Sequence, residues 1–352
     1  MAADRQTLVV TGASGVIGRA LLAELDGQRV IGLVHRGEAP PGAAEVLRSD
    51  VAEPRLGLEP AEYARLAREA DVVIHSAALT DWAADPELIR RINIGGTENV
   101  MQFARDAGAP VYHLSTSFIR AVADDAPVRL EDSNVIVNYC RSKIEGEAAV
   151  RAGGVPHTIF RPTNLIGDSR TGEIATTQAV QLVSEFICRG KAPLVPARPG
   201  TMVDVVPQDL VAKAIAAAVE REDLGQEWWI TCGAGSMTIE DAIDVCVAFM
   251  ERTEQPIERP VVLDPATLAN GGGAAVDALS PMARMFFGRM LDFNEGLAAC
   301  GQFPSSLDEV GPRYDLPQID WRDAYERGLE FWARQKEIEY RPAAHEAGLP
   351  HR

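Results

Sequence analysis

Short apolar runs alternate with longer amphipathic stretches through the first two thirds of the chain. Residues 7–11, 29–35, 45–49, 71–75, 111–115, 157–161 and 228–231 read as strands. Between them, 18–25, 60–69, 87–106 and 139–151 carry apolar positions at helical period and are long enough for crossover helices. Strands that are apolar at nearly every position, alternating with helices, predict a parallel sheet covered on both faces. The expected fold class is therefore α/β, a Rossmann-type doubly wound parallel sheet. Residues 1–165 would form its core, and 166–352 a smaller, mostly helical C-terminal substrate lobe from which about 203–235 returns to the core.

The connections carry their own punctuation. Segment 37–44 contains Pro-Pro-Gly, and 121–137 is acidic and turn-rich. Segment 189–201 holds three prolines and two glycines and predicts an irregular excursion, and Asn-Gly-Gly-Gly at 270–273 predicts a flexible break. Beyond it, 282–294 and 321–335 read as helices. No repeat of fixed period or low-complexity tract is present.

Composition narrows the class. The chain has 352 residues, 46% hydrophobic and 24% charged, which is ordinary for a globular protein with a sizeable core. With 34 Lys+Arg against 51 Asp+Glu the net charge is −17, a poor match to nucleic acid, whose phosphates want a basic surface. Five cysteines in no paired pattern, with no CxxC, predict a reduced, cytoplasmic protein. No secretory leader is expected, since the N-terminal residues carry no basic region before a long apolar stretch, and no apolar run approaches the ~20 residues of a membrane span. The six histidines show no metal-ligand spacing and no metal is expected; His75 and His113, at strand ends, read as interior residues behind a site.

The first strand runs directly into glycines at 12, 15 and 18, in Thr7-Leu-Val-Val-Thr-Gly-Ala-Ser-Gly-Val-Ile-Gly18. Gly12 can make the tight turn, Gly15 lets a pyrophosphate approach the backbone, and Gly18 allows close helix packing. The free N–H groups of Ser14, Gly15, Val16 and Ile17 at the helix start then attract the anion. A plain strand–helix turn is the alternative, but the second strand that follows favours a dinucleotide. That strand ends Leu33-Val34-His35-Arg36-Gly37, with no carboxylate to hold the ribose hydroxyls of NAD. Arg36 and Arg19 could take a 2′-phosphate, because guanidinium matches phosphate geometry, so NADP(H) is the expected cofactor.

Tyr139 and Lys143 stand four residues apart on one helix face. Tyr ordinarily titrates near pH ~10, and an adjacent cation favours its ionised form, so the pair is expected to act as a tuned acid/base. Six Tyr and only four Lys in the chain make about 0.07 such pairs by chance. Upstream, the apolar strand at 111–115 ends in Ser115, Thr116 and Ser117. Hydroxyls at the carboxyl end of a parallel strand can stabilise charge on a substrate oxygen, or simply cap the next turn.

Taken in order, T-G-A-S-G-V-I-G, Asp50-Val51, His75-Ser-Ala-Ala78, Asn93-x-x-Gly96-Thr97, Ser115-Thr116 and Tyr139-x-x-x-Lys143 resemble the extended short-chain dehydrogenase/reductase superfamily over roughly residues 7–235. The phrases L-V-H-R-G, R-P-T-N-L-I-G-D-S-R-T-G-E at 161–173 and V-D-V-V-P-Q-D-L-V-A at 203–212 resemble its thioester-reductase branch, which includes carboxylic acid reductase domains, carrier-protein terminal reductase domains and fatty acyl-CoA reductases.

The resemblance implies that Gly12, Gly15 and Gly18 line the pyrophosphate, with Arg19 and Arg36 on the 2′-phosphate. It implies Asp50 and Val51 at the adenine, and Ala77 and Ala78 beneath the adenosine ribose. Thr116 would be the catalytic Ser/Thr, with Ser117 a nearby substitute, Tyr139 the proton donor, and Lys143 the residue that holds the nicotinamide ribose and lowers the Tyr139 pKa. Pro162, Thr163 and Asn164 would contact the nicotinamide amide, and Asn93 would stabilise a sheet–helix junction. His35 precedes Arg36 where relatives usually place Arg directly.

The activity implied is NADP(H)-dependent reduction of a thioester, on CoA or on a separate acyl carrier protein, to an aldehyde or alcohol. A ketone or aldehyde reductase, an alcohol dehydrogenase, a nucleotide-sugar epimerase or dehydratase, and a dinucleotide-sensing regulator remain alternatives. Arg189, Lys191 and Arg198 could offer a basic patch to an acidic carrier or be solvated loop charges. A dimer is compatible with the sequence.

Overall fold

The computed structural model describes residues 6–270 and 272–342. Six strands follow one another through the first half: β1 (Thr7–Thr11), β2 (Arg29–Val34), β3 (Glu45–Arg48), β4 (Val72–His75), β5 (Val111–Leu114) and β6 (His157–Pro162). The short strands β7 (Asn164–Ile166), β8 (Leu194–Pro196), β9 (Met202–Val203) and β10 (Val205–Pro207) come next, before β11 (Glu227–Ile230) rejoins the main sheet. That sheet has seven parallel strands in the order β11-β6-β5-β4-β1-β2-β3. The order reverses between β1 and β4, and the crevice at such a switch point is where doubly wound sheets bind ligands.

The apolar runs form strands because both of their faces are covered. Leu8 and Val10 pack on one face with Leu21 of α1 (Val16–Glu24) and Ile215, while Val9 faces the other side with Leu66 and Phe103. The second face is covered by α2 (Pro60–Glu69), α4 (Gly96–Ala107) and α5 (Val135–Ala152), and α3 (Pro86–Arg90) packs on α5. The chain then forms α6 (Ala179–Cys188) and α7 (Gln208–Glu220), the latter packed on α1. A third core lies under α6, α8 (Ile239–Met250) and α10 (Pro281–Cys300), in the lobe that covers the carboxyl ends of the strands. Strands β12 (Met237–Thr238) and β13 (Val261–Leu263), and helices α9 (Gly272–Asp277), α11 (Leu307–Tyr314) and α12 (Trp321–Gln335), complete the order.

Several expectations change in detail. The helix read at 87–106 is helical throughout, but a π-turn at Arg91–Gly95 separates α3 from α4. Its cause is local: the Thr97 hydroxyl donates to Asn93 O at 2.7 Å, and the Asn93 amide pairs with both backbone groups of Leu79. Helix α5 starts at Val135, inside the segment read as loop, because the Asn134 side chain accepts from Ile136 N and caps it. The excursion at 189–201 contains β8, which pairs in parallel with β13. Gly272 already belongs to α9, and residue 271 of the expected break lies outside the described residues, as do His345 and His351. Of the three lobe cations, Arg189 pairs with Glu185 and Arg198 with Glu295.

An ion network fixes α5 to the sheet. Arg161 on β6, only 4% exposed, meets Glu147 of α5 at 2.7 Å and lies over the Trp229 ring at 4.9 Å. Arg151 bridges Glu147 and Glu227 at 2.8 and 2.7 Å. Breaking a buried pair leaves an uncompensated charge, which costs about 3–5 kcal/mol. Glu147→Ala is therefore expected to destabilise the protein by about 3 kcal/mol in chemical denaturation, since Glu227 still reaches Arg161. A change within 0.5 kcal/mol, as for an ordinary surface site, would show that the network is not structural.

Candidate active site

The glycine turn lies at the carboxyl end of β1. Gly12 has φ +68°, and a Cβ there would stand 2.7 Å from Ala77 N; at Gly18 it would meet Gly12 O. Both positions therefore require the absence of a side chain. Gly15 is the N-cap of α1, and its N–H, expected to be free, donates to Gly12 O at 2.9 Å; with no capping side chain and no acid in the first turn, the next N–H groups, at Val16 and Ile17, have no intrahelical acceptor. Ser14, Gly15 and Val16 surround this opening, whereas the Ile17 side chain is buried in the core and only its backbone can face an anion. A glycine turn that leads into a helix N-terminus fits a dinucleotide pyrophosphate.

The second loop folds over Ser14. A Cβ on Gly37 would stand 2.4 Å from the Ser14 hydroxyl, and Arg48, the last residue of β3, donates to His35 O and Gly37 O at 3.2 and 2.8 Å. Arg36 is exposed on this loop, and Arg19 donates to Ser14 O at 3.0 Å. Arg48 was not singled out from sequence, because its charge reaches the loop only through the pairing of β2 with β3. His35 Nε2 is 3.6 Å from the Asp50 carboxylate. Asp50 N donates to Leu56 O, in a left-handed turn where Arg55 and Leu56 have φ 56° and 58°. Val51 packs where Gly96 leaves room, and its carbonyl accepts from Asn99.

A chain of hydrogen bonds runs beneath the cradle. Thr97 uses its hydroxyl hydrogen on Asn93 O, so it accepts from His75 Nε2 at 3.1 Å. His75 Nδ1 is then the acceptor from Thr11 Oγ1 at 2.8 Å, and Thr11 in turn accepts from Ser76 N and Ala77 N. Burial, and then the Lys143 charge, push the His75 pKa down to about 3, so the ring is neutral. His113, beside it at 5.1 Å between centroids, is lowered by the same causes.

Lys143, 3% exposed, donates from Nζ to Leu114 O at 2.8 Å, at the end of β5. Burial lowers its pKa to about 8, partly offset by the Glu147 carboxylate. Tyr139 lies one turn earlier on α5, 6% exposed, and shares a hydrogen bond with Thr116. The expected lowering of the Tyr139 pKa by Lys143 is not found. Burial raises it well above 10, with Cys140 adding to the rise and Thr116 only moderating it. The ammonium hydrogen bond goes to the strand carbonyl, and the desolvated phenol stays protonated.

These groups line one cavity of about 600 Å³ under the lobe, together with Ala78, Pro162, Thr163 and Asn164. Thr163 Oγ1 and Asn164 Nδ2 donate to Asp204 O at 3.1 and 2.8 Å, which fixes them at the rim of β6. Thr116 lines the cavity beside Ser115, whereas Ser117 is fully buried and does not, so it cannot substitute for Thr116. Ala77, half-buried, lies against the Gly12 turn rather than on this cavity. The opposite wall comes from Trp82 after β4, Gln178 and Ala179 at the start of α6, and Arg289 and Asp292 of α10. None of these was singled out from sequence; only tertiary packing brings them to the strand ends.

The model of the family described as male sterility protein matches residues 42–215. A glycine betaine reductase of Emericella nidulans is 27% identical over 252 residues, covering 60% of this chain and 20% of that protein. A linear gramicidin synthase component of Brevibacillus parabrevis is 28% identical over 246 residues, covering 60% of this chain and 5% of that protein. The chain thus spans a fifth or less of the length of these curated relatives. Among solved structures, the terminal R domain from the myxalamid PKS-NRPS biosynthetic pathway superposes with a TM-score of 0.74 at 22% identity, covering 97% of this chain and 93% of that one. In sequence the chain is thus similar to the male sterility protein family and to reductase-containing synthetases, and it shares the fold of a terminal reductase domain.

Proposed function

We propose that the protein is an NADP(H)-dependent reductase that converts a thioester, on CoA or on an acyl carrier protein, to an aldehyde or alcohol. The observation that carries this reading is the single cavity into which Thr116, Tyr139, Lys143 and the 162–164 segment converge, beside the glycine cradle. Gly12, Gly15 and Gly18 with the α1 N-terminus would hold the pyrophosphate, and Arg19, Arg36 and Arg48 the 2′-phosphate. Asp50 and Val51 would flank the adenine, Ala77 and Ala78 the adenosine ribose, and Pro162, Thr163 and Asn164 the nicotinamide amide. Bound there, the reduced nicotinamide supplies hydride to the substrate carbonyl.

The protein's own groups manage the oxygen and its proton. Thr116 and Tyr139 hold the carbonyl oxygen, and Tyr139, kept protonated by burial, gives it a proton as negative charge develops. Lys143 is anchored by Leu114 O, where it can hold the nicotinamide ribose and return the proton to Tyr139. The resulting hemithioacetal expels thiol to give the aldehyde, which the same groups can present for a second reduction.

Purified protein with NADPH and a medium-chain acyl-CoA is expected to release free thiol as NADPH is consumed. Turnover of the matching aldehyde with none of the acyl-CoA would instead identify a carbonyl reductase. Tyr139→Phe is expected to lower kcat by about 10²–10⁴-fold, the usual contribution of a positioned acid, with NADPH affinity unchanged by fluorescence titration. Because the Lys143 cation is present below pH about 8 and lost above it, kcat/KM is expected to fall as pH rises past that value. A flat profile to pH 10 would remove Lys143 from the mechanism. Arg36→Ala and Arg48→Ala are each expected to weaken NADPH about tenfold and leave NADH nearly unaffected, since a charge-assisted hydrogen bond contributes about 1.5–3 kcal/mol. Equal loss for both cofactors would place the 2′-phosphate elsewhere.

A further inference from the structure

A second cavity of about 200 Å³ lies between α6 and α10. Val183 and Phe186 line one side, and Met285, Phe286, Met290 and Phe293 the other. It adjoins the catalytic cavity: Trp82, Ala179 and Arg289 line both. Its walls are set by helical spacing, with Leu182 and Phe186 one turn apart on α6 and Met285 and Arg289 one turn apart on α10. The aromatic floor is fixed, since Phe186 stacks on Phe286 at 3.8 Å between centroids and Trp82 on Phe293 at 5.5 Å. At the outer rim, large apolar side chains face solvent: Leu182 is 44% exposed and Met285 56%.

An apolar passage that starts at the reacting carbonyl and opens outward between Met and Leu side chains suits a flexible hydrocarbon chain, because Met adapts its shape to what it packs against. Resting on the thioester reading, we propose that this cavity receives the acyl chain of the substrate, and that α6 and α10 thereby select medium-length, unbranched, apolar acyl groups. At ~30 Å³ for each water-sized group, the volume accommodates about six or seven carbons beyond those in the catalytic cavity. Polar or aminoacyl thioesters would leave their hydrogen-bonding groups unpaired against these walls.

The test is calorimetric binding of unreactive S-alkyl pantetheine thioethers, from two to twelve carbons, to the full chain with NADPH present. Affinity is expected to rise about fourfold per methylene and then level off once the cavity is filled. Ala179→Trp, at the junction of the two cavities, is expected to bring that plateau several carbons earlier, and Met285→Lys to reduce the gain per methylene. Bound NADPH fluorescence in each variant reports that the fold is intact. Affinity independent of chain length in the unaltered protein would overturn the inference. So would a Met285→Lys variant that keeps the full gain but changes from dimer to monomer in sedimentation, since the rim would then be a contact between copies. Reduction is measured in parallel on acyl-CoAs and aldehydes of the same lengths. Chain-length-dependent binding with no thioester turnover would reject the thioester reading and leave the acyl cavity standing.

Discussion

The arrangement depends on one buried ammonium group. Lys143 is held by Leu114 O at the end of β5, where the strand carbonyl replaces part of the hydration the cation has lost. Its charge helps to keep His75 and His113 neutral. A neutral His75 has one N–H, which goes to Thr97, and one lone pair, which fixes the Thr11 hydroxyl. Thr11 then accepts from Ser76 and Ala77, against whose backbone the Gly12 turn closes. The cation that lines this cavity therefore also helps to set the glycine cradle two strands away.

The same burial bears on the proposed mechanism. It keeps the Tyr139 phenol protonated, the form that the proposed role of proton donor to a carbonyl oxygen requires. The lobe contributes a different property: α6 and α10 cover the strand ends with aromatic and aliphatic side chains, so the cavity is polar at its base and apolar toward its outer end. A reacting polar head with an apolar tail matches that gradient.

Much of the core was legible because a sheet covered on both faces leaves a simple mark. All seven strands were readable as apolar runs, and α12 has the expected limits. Gly12, Gly18, Tyr139 and Lys143 were legible because their spacing within one short segment expresses their geometry directly. What could not be read depends on particular side-chain partners and on contacts between elements, neither of which leaves a periodic mark. The π-turn at Asn93 follows from Leu79, and the early start of α5 from a cap. The pairing of β8 with β13 is too short for a period. Arg48, Trp82 and Arg289 carry no local motif; they reach the site through strand pairing and lobe packing. The Tyr139 shift ran opposite to the expectation because spacing reveals the neighbouring charge but not the depth of burial.

The central claim is that this cavity directs hydride from a nicotinamide to the carbonyl carbon of a thioester. The most direct measurement is the fate of label from NADPH carrying deuterium at C4, separately in each of its two positions, incubated with the protein and an acyl-CoA. The account predicts deuterium at C1 of the aldehyde or alcohol, from one of the two positions only, with one thiol released per acyl group reduced. Thiol release without label at C1 would mean hydrolysis, and would contradict it.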